Sequence, residues 1–385
     1  MNNITLKQLP PLSLYIHIPW CIQKCPYCDF NSHKVENKIP EQEYLQAIIT
    51  DLELALPLIW GRSIQSIFIG GGTPSLISGA GIDYLLTQIR ARIKVSPFAE
   101  ITLEANPSSV ESKYIAEYAQ AGINRISLGI QSFNDEHLKI LGRVHDSAQA
   151  RQAIDLVAHN FDNFNLDIIY GLPKQSIAQA TQDIQIATQF NPTHISAYNL
   201  TIEPNTYFAK FVPQNMPDDD LCYQMQDQII SLLGNNGYAR YETSAYTKNS
   251  HHSQHNLNYW QFGDYLGIGA GAHSKLSFHD KIIRQSRVKH PTEYLAKIKQ
   301  QSHISSSKTI ERTDLLLEFM MNALRLTDGF NNQLFNETTS IEFNEILPQL
   351  LIAQEQGFID LYNNKITPTE KGRDFLNNLL EIFMH

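Results

Sequence analysis

From Ser13 to Thr201 the chain alternates short apolar runs with longer stretches of helical period. The runs are SLYIHIP, SIQSIFIGGG, AEITLEANP, RISLGIQS, NFNLDIIYGLP and THISAYNLT, and between them lie patterns such as EQEYLQAIITDLELALPLI and SIAQATQDIQIATQF. Runs this continuous in Ile and Leu predict strands buried on both faces of a parallel sheet. Six strand–helix units at a spacing of roughly 30 residues predict an α/β fold with right-handed crossovers, a barrel that is complete or partial. An open doubly wound sheet has the same periodicity. The carboxyl end of each run carries polar or glycine-rich punctuation: a cysteine loop, GGGTPS, EANP, GIQS, DIIYGLP and AYNLT. Parallel α/β folds bind ligands at that end, so six marked ends predict one shared site.

After Thr201 the period changes. Residues 217–236 predict a helix stopped at GNNGY by Gly and Asn. The aromatic, His-rich stretch YARYETSAYTKNSHHSQHNLNYWQFGDYLGIGAGAHS follows. Residues 302–311, SHISSSKTIE, are Ser-rich and read as a linker. The tail sets TDLLLEFMMNALRL and FNEILPQLLIAQEQG before a hairpin-like FIDLYNNKITPT and a closing helix from Glu370, an order that resembles a winged-helix module. The expected organisation is a barrel core over 1–205, an accessory region completing it over 206–301, and a small α+β domain over 302–385.

Composition narrows the classes of partner. A net charge of −9 removes bulk electrostatic attraction to nucleic acid. The tail is the more acidic part, with five Lys and Arg against twelve Asp and Glu from residue 311 onward, which turns a winged-helix shape toward docking or lid work rather than DNA. No apolar run reaches the roughly 18 residues that span a bilayer. The N-terminal MNNITLKQLPPLSLYIHIP lacks the plan of a signal peptide. The expectation is a cytoplasmic protein.

Cysteine usage changes the picture more. Cys21, Cys25 and Cys28 crowd into WCIQKCPYCDFNSH, while Cys222 stands alone on an apolar helical face and reads as a small core residue. Clustered thiols point to metal or redox work. A structural zinc site wants four ligands, for which His17, Asp29 or His33 would have to complete the set. A [4Fe–4S] cube normally takes a thiolate at each of its four corners. Three cysteines leave one iron without a protein ligand, open to a small molecule bearing an amine and a carboxylate.

Cys-x3-Cys-x2-Cys after a first strand, with Gly70-Gly71-Gly72-Thr73-Pro74 closing the next, resembles the radical S-adenosylmethionine (SAM) superfamily. The resemblance implies that Cys21, Cys25 and Cys28 ligate a [4Fe–4S] cluster whose open iron chelates SAM, and that an electron from the cluster cleaves the sulfonium. LYIHIPWC, EANP, GIQSF, LGRVH and LDIIYGLP further resemble, across essentially the whole chain, the oxygen-independent coproporphyrinogen III oxidases and their relatives. That likeness implies that Tyr15, Tyr27, Gly71, Gly72 and Thr73 line SAM and that Glu104, Gln131, Arg143 and Asp167 supply its polar contacts.

Two departures separate the chain from the oxidases. Phe30 stands where they carry a further cysteine, and only twenty residues precede Cys21. Both resemble the haem-chaperone branch, as does HNLNYW, His255 to Trp260, which matches an HNxxYW pattern. The branch implies haem as a ligand, with His255 a candidate axial ligand beside Tyr259 and Trp260, a haem-acceptor protein as partner, and room for an electron donor and a homodimer. His251, His252 and His255 also fit a solvated polar stretch. The alternative is an oxidase decarboxylating coproporphyrinogen III. Gly267, Gly269 and Gly271 do not open a βαβ unit and are no dinucleotide fingerprint.

Overall fold

A computed structural model describes residues 4–36, 38–108 and 113–384. Met1–Asn3, part of the segment examined above for a leader, lie outside the described residues. The six predicted runs all become strands: β1 (Leu12–Ile18), β2 (Ile64–Gly71), β3 (Val95–Ala105), β4 (Arg125–Gln131), β5 (Phe164–Tyr170) and β6 (His194–Asn199). They pair in that order, every neighbour parallel. Among the described residues the sheet gains six more strands at its flanks. Beyond β6 lie β7 (Ala239–Arg240) and β8 (Ala245–Thr247); beyond β1 lie β9 (Asp264–Ile268), β10 (His273–Ser277), β11 (Ile282–Arg287) and β12 (Ile304–Thr309). Only β9 joins parallel, against β1; β8 pairs antiparallel with β6, and β10–β12 form an antiparallel run. The outer strands do not meet, so the sheet is a partial barrel rather than a closed one.

The strands are buried on both faces, as expected, with six of seven residues buried in β1 and in β5. The two faces differ in chemistry. In LSLYIHI the residues Leu12, Leu14, Ile16 and Ile18 join the core, while Tyr15 and His17 face an interior cavity. The outward set packs on helices through Tyr44, Ile48, Leu52, Leu86, Ile154 and Ile184, and the inward set stays polar. That is the period-two code of a strand with unlike faces. One expectation needs correction: the Ser-rich segment 302–311 is no linker. Ile304–Thr309 pairs with β11 along its length as the edge strand of the sheet. Its serines tolerate this because an edge strand on a solvated surface needs no apolar face.

The tail follows its expected order. Helices Arg312–Ala323, Asn332–Thr339 and Phe343–Glu355 surround a small sheet of Phe330–Asn331, Ile359–Tyr362 and Lys365–Pro368. Asn363 and Asn364 take φ of 49° and 60° in the hairpin, as a tight two-residue turn demands. Phe319, Phe335, Leu350 and Ile366 form a second core, which Phe262 ties to the barrel. Among the described residues no helix is long and apolar enough to cross a membrane.

Candidate functional site

Alternate residues of β1–β6 and β9–β11 converge on one cavity of about 1020 Å³, at the upper end of the roughly 300–1,000 Å³ of ligand pockets. Cys21, Cys25 and Cys28 line it, and so do Tyr15, Tyr27, Gly71, Gly72, Thr73, Glu104, Gln131, Arg143 and Asp167. His255 does not.

The cysteine loop leaves the end of β1 and is pinched at its neck. Trp20–Cys21 pairs in parallel with His33–Lys34, the amide of His33 donates to Pro19 O at 2.7 Å, and that of Val35 to Cys21 O at 2.9 Å. Within the loop the amide of Cys28 donates to Cys25 O, and Ser32 Oγ lies 3.8 Å from Cys28 Sγ. All three thiols are free, with Cys21 buried and the others half-buried. Desolvation by burial pushes the Cys21 thiol up to about 11, so a metal arriving there would displace a proton. Among the described residues no three His, Cys, Asp or Glu side chains converge as a single ion requires. His17 in particular is committed, with Nδ1 paired to Tyr15 OH at 3.0 Å and Nε2 to Asn31 O at 2.8 Å. All three free thiols border this one cavity.

Gly71 and Gly72 line the cavity and also allow a close approach at the root of the cysteine loop. The amides of Gly71 and Gly72 are used internally, donating to Glu104 Oε2 at 3.1 Å and Ile18 O at 2.7 Å. Their missing side chains matter more. A Cβ on Gly71 would lie 2.6 Å from the His17 ring, and one on Gly72 would lie 2.6 Å from Trp20 O. The glycines therefore let the cysteine loop's root close against β2. Gly71 also takes φ of 115°, which L side chains avoid. We expect Gly71→Ala to cost roughly 2–4 kcal/mol, from the positive φ together with the overlap. Gly61→Ala, at φ 75° with nothing within 4 Å, isolates the backbone cost. Urea unfolding of the two variants measures the difference.

Opposite the loop stand the charged contacts. Arg143 donates to Gly129 O at 2.8 Å, bonds Asn106 Oδ1, and reaches Cys25 Sγ at 3.6 Å. Gln131 ends β4 in the left-handed region, φ 69°, after an irregular register at Gly129 that turns it into the cavity. Asp167 accepts from Ser127 at 2.9 Å and Asn165 at 2.8 Å, and burial lifts its pKa. Burial first, and the charge of Asp167 second, raise Glu104 to about 8. Folded chains therefore hold a Glu104 proton that unfolded chains release near 4.5. Its contribution favours folding below that value and is lost progressively as pH rises toward about 8. Glu104→Gln should flatten this decline in a pH series of denaturation midpoints.

In the HNLNYW segment His255 is not the solvated histidine that its polar neighbours suggest. Gln254–Trp260 is a helix capped by Ser253 and laid against the inner face of the sheet. His255 is 1% exposed, with Nδ1 paired to Ser66 Oγ at 3.0 Å and Nε2 to Tyr259 OH at 3.0 Å. Its ring stacks on Phe68 at 5.0 Å, and burial depresses its pKa to about 3. Both ring nitrogens are engaged within the protein, while Asn256, Tyr259 and Trp260 face the cavity. Cys222 lies on helix Asp219–Asn235, half-buried rather than in the core. Sequence reading missed Arg125, buried at the base with its guanidinium 3.9 Å from Glu100, and the mouth residues His273 and Lys289.

The structure is thus a barrel opened on one side, with a three-cysteine loop and a glycine strand end at its mouth. The model of the radical SAM superfamily matches residues 15–185, and that of the HemN C-terminal domain matches 310–375. The heme chaperone HemW of Escherichia coli is 46% identical over 379 residues, covering 98% of this chain and 99% of the relative. HemW of Haemophilus influenzae is 46% identical over 385 residues, covering 98% and 99%. The chain belongs to the HemW family. A solved structure of coproporphyrinogen III oxidase HemN from Escherichia coli, described as a radical SAM enzyme, superimposes at a TM-score of 0.82 and 23% identity over 97% of this chain and 90% of the other, a likeness of fold.

Proposed function

We propose that the protein binds haem and passes it to an acceptor protein, and that Cys21, Cys25 and Cys28 hold a [4Fe–4S] cluster with SAM at its open iron. The observation that carries this is near-full-length identity to HemW relatives, in a chain whose three thiols line one large cavity. The cluster would supply an electron to bound SAM. The chain's own residues position and shield. Arg143 sets a positive charge beside Cys25, where a thiolate gains from it. Glu104 and Asp167 are acceptors for hydroxyl and ammonium groups of the nucleotide. Tyr15, Phe68 and Tyr259 add aromatic walls to the cavity.

Because Glu104 is held protonated up to about 8, a cationic ligand beside it would favour the ionised form and release a proton on binding. SAM affinity should therefore rise with pH up to about 8, and calorimetry in buffers of different ionisation enthalpy should register the proton. Anaerobic reconstitution followed by parallel haem titration and coproporphyrinogen turnover tests the whole proposal. Saturable haem binding near one per chain without porphyrinogen decarboxylation supports it. Decarboxylation with SAM and a reductant would replace it with the oxidase reading.

A further inference from the structure

Resting on the haem reading, the question of the iron's ligand has a structural answer. Among the described residues two histidines line the cavity, His17 and His273. Both nitrogens of His17 are committed to Tyr15 and Asn31. His273, the first residue of β10, is exposed at the mouth, and its ring makes no hydrogen bond among the described residues. The backbone there is held closely. A Cβ on Gly267 would lie 2.0 Å from His273 O, so that glycine lets β10 fold back tightly on β9 and fixes where the imidazole emerges.

The cysteine loop comes to the same rim. Asn31 Nδ2 donates to Ala270 O at 3.0 Å and to Lys289 O at 2.9 Å. A Cβ on Gly271 would lie 2.2 Å from that amide nitrogen. This stitch draws Phe30, 58% exposed and lining the cavity, to the part of the mouth that carries His273 and Lys289. Lys289 is exposed and makes no ion pair among the described residues. An open imidazole, an uncovered aromatic ring and an unpaired ammonium are the complements of a metal, a flat apolar macrocycle and its carboxylates.

We propose that His273 is the axial ligand to haem iron, with Phe30 against the macrocycle and Lys289 on a propionate. The site lies on the rim, between the cysteine loop and the turn from β9 to β10. A carried ligand held there leaves without the barrel opening.

Haem titration of the reconstituted protein, followed by absorption and electron paramagnetic resonance, tests this. His273→Ala should lose the histidine-ligated signature and weaken binding roughly tenfold or more, at least the effect of losing a metal ligand's supporting contact. Free imidazole should restore the signature by filling the space. Lys289→Ala should weaken haem binding while leaving haem dimethyl ester, whose propionates are blocked, unchanged. Circular dichroism and retained iron and sulfide confirm that each variant is folded. A His273→Ala protein with the wild-type spectrum and affinity, or one that imidazole does not restore, overturns the assignment. Failure of the wild-type protein itself to bind haem overturns the reading beneath it instead.

Discussion

Replacing any one of Cys21, Cys25 or Cys28 with Ser is expected to reduce cluster assembly to near background, measured as iron and acid-labile sulfide per chain after anaerobic reconstitution. A cube gripped at three corners has no spare cysteine. His17 spends both nitrogens inside the protein, and Ser32, 3.8 Å from Cys28 Sγ, offers only a hydroxyl. Cys222→Ser is the matched control. That thiol sits half-buried on its own helix beside Gly171, outside the cavity, so iron content should not change. The fold should survive all four substitutions, because the loop's neck is closed by backbone hydrogen bonds from His33 and Val35 rather than by the thiols. Retention of a full cluster in Cys25→Ser would sink the ligand assignment.

The parallel half of the fold was legible because each strand carries its pairing and its facing in its own residues. The six marked strand ends do meet in one cavity. The inward code was legible too, though subtler: Ser13, Tyr15 and His17, then Ser127, Gly129 and Gln131, then Asn165 and Asp167, stand at every second position. Counting Tyr as apolar disguised the alternation as a continuous run. What local pattern does not carry is a partner far away in the chain. DYLGI, read within the aromatic, His-rich stretch without a strand assigned to it, becomes β9 because β1 offers it an unpaired edge. ISSSKT becomes β12 only because β11 is beside it.

His255 shows the same limit at the site. Its neighbours in sequence are polar, which suggested solvent. In the structure, helix periodicity stacks it above Tyr259, four residues on, and turns both inward against Ser66 and Phe68. The spacing was visible; the sheet that waits for it was not. His273 went unremarked for the opposite reason. It follows the small residues of LGIGAGAHS, whose glycines serve close approaches between β9, β10 and Asn31 and so read only as a turn.

Asp51→Ala should be the most damaging single change away from the cysteines, at about 3–5 kcal/mol in denaturant unfolding, because it strands a buried cation. Asp51 is fully buried and saturated. Oδ1 meets Arg287 at 3.3 Å and His303 at 3.0 Å, while Oδ2 accepts from Gly269 N at 3.0 Å and Tyr294 OH at 2.9 Å. Burial works to raise its pKa, yet Arg287 and His303 with the Gly269 amide hold it below the ordinary carboxyl value. A total stability of roughly 5–15 kcal/mol would lose a large share. The loss should also reach the cofactor. Gly269 begins the turn whose Ala270 amide donates to Tyr44 OH, while Tyr44 OH donates to His17 O, and whose Ala270 carbonyl holds Asn31 in the cysteine loop. Asp51→Ala should therefore shed iron faster under a chelator than Glu53→Ala, which breaks only the exposed pair with Arg92. In an Asp51→Leu/Arg287→Met double variant, no lone charge remains buried, and much of the stability should return. Recovery of stability without recovery of iron retention would mean that Asp51 orients the turn through its hydrogen bonds and not merely through the balance of charge.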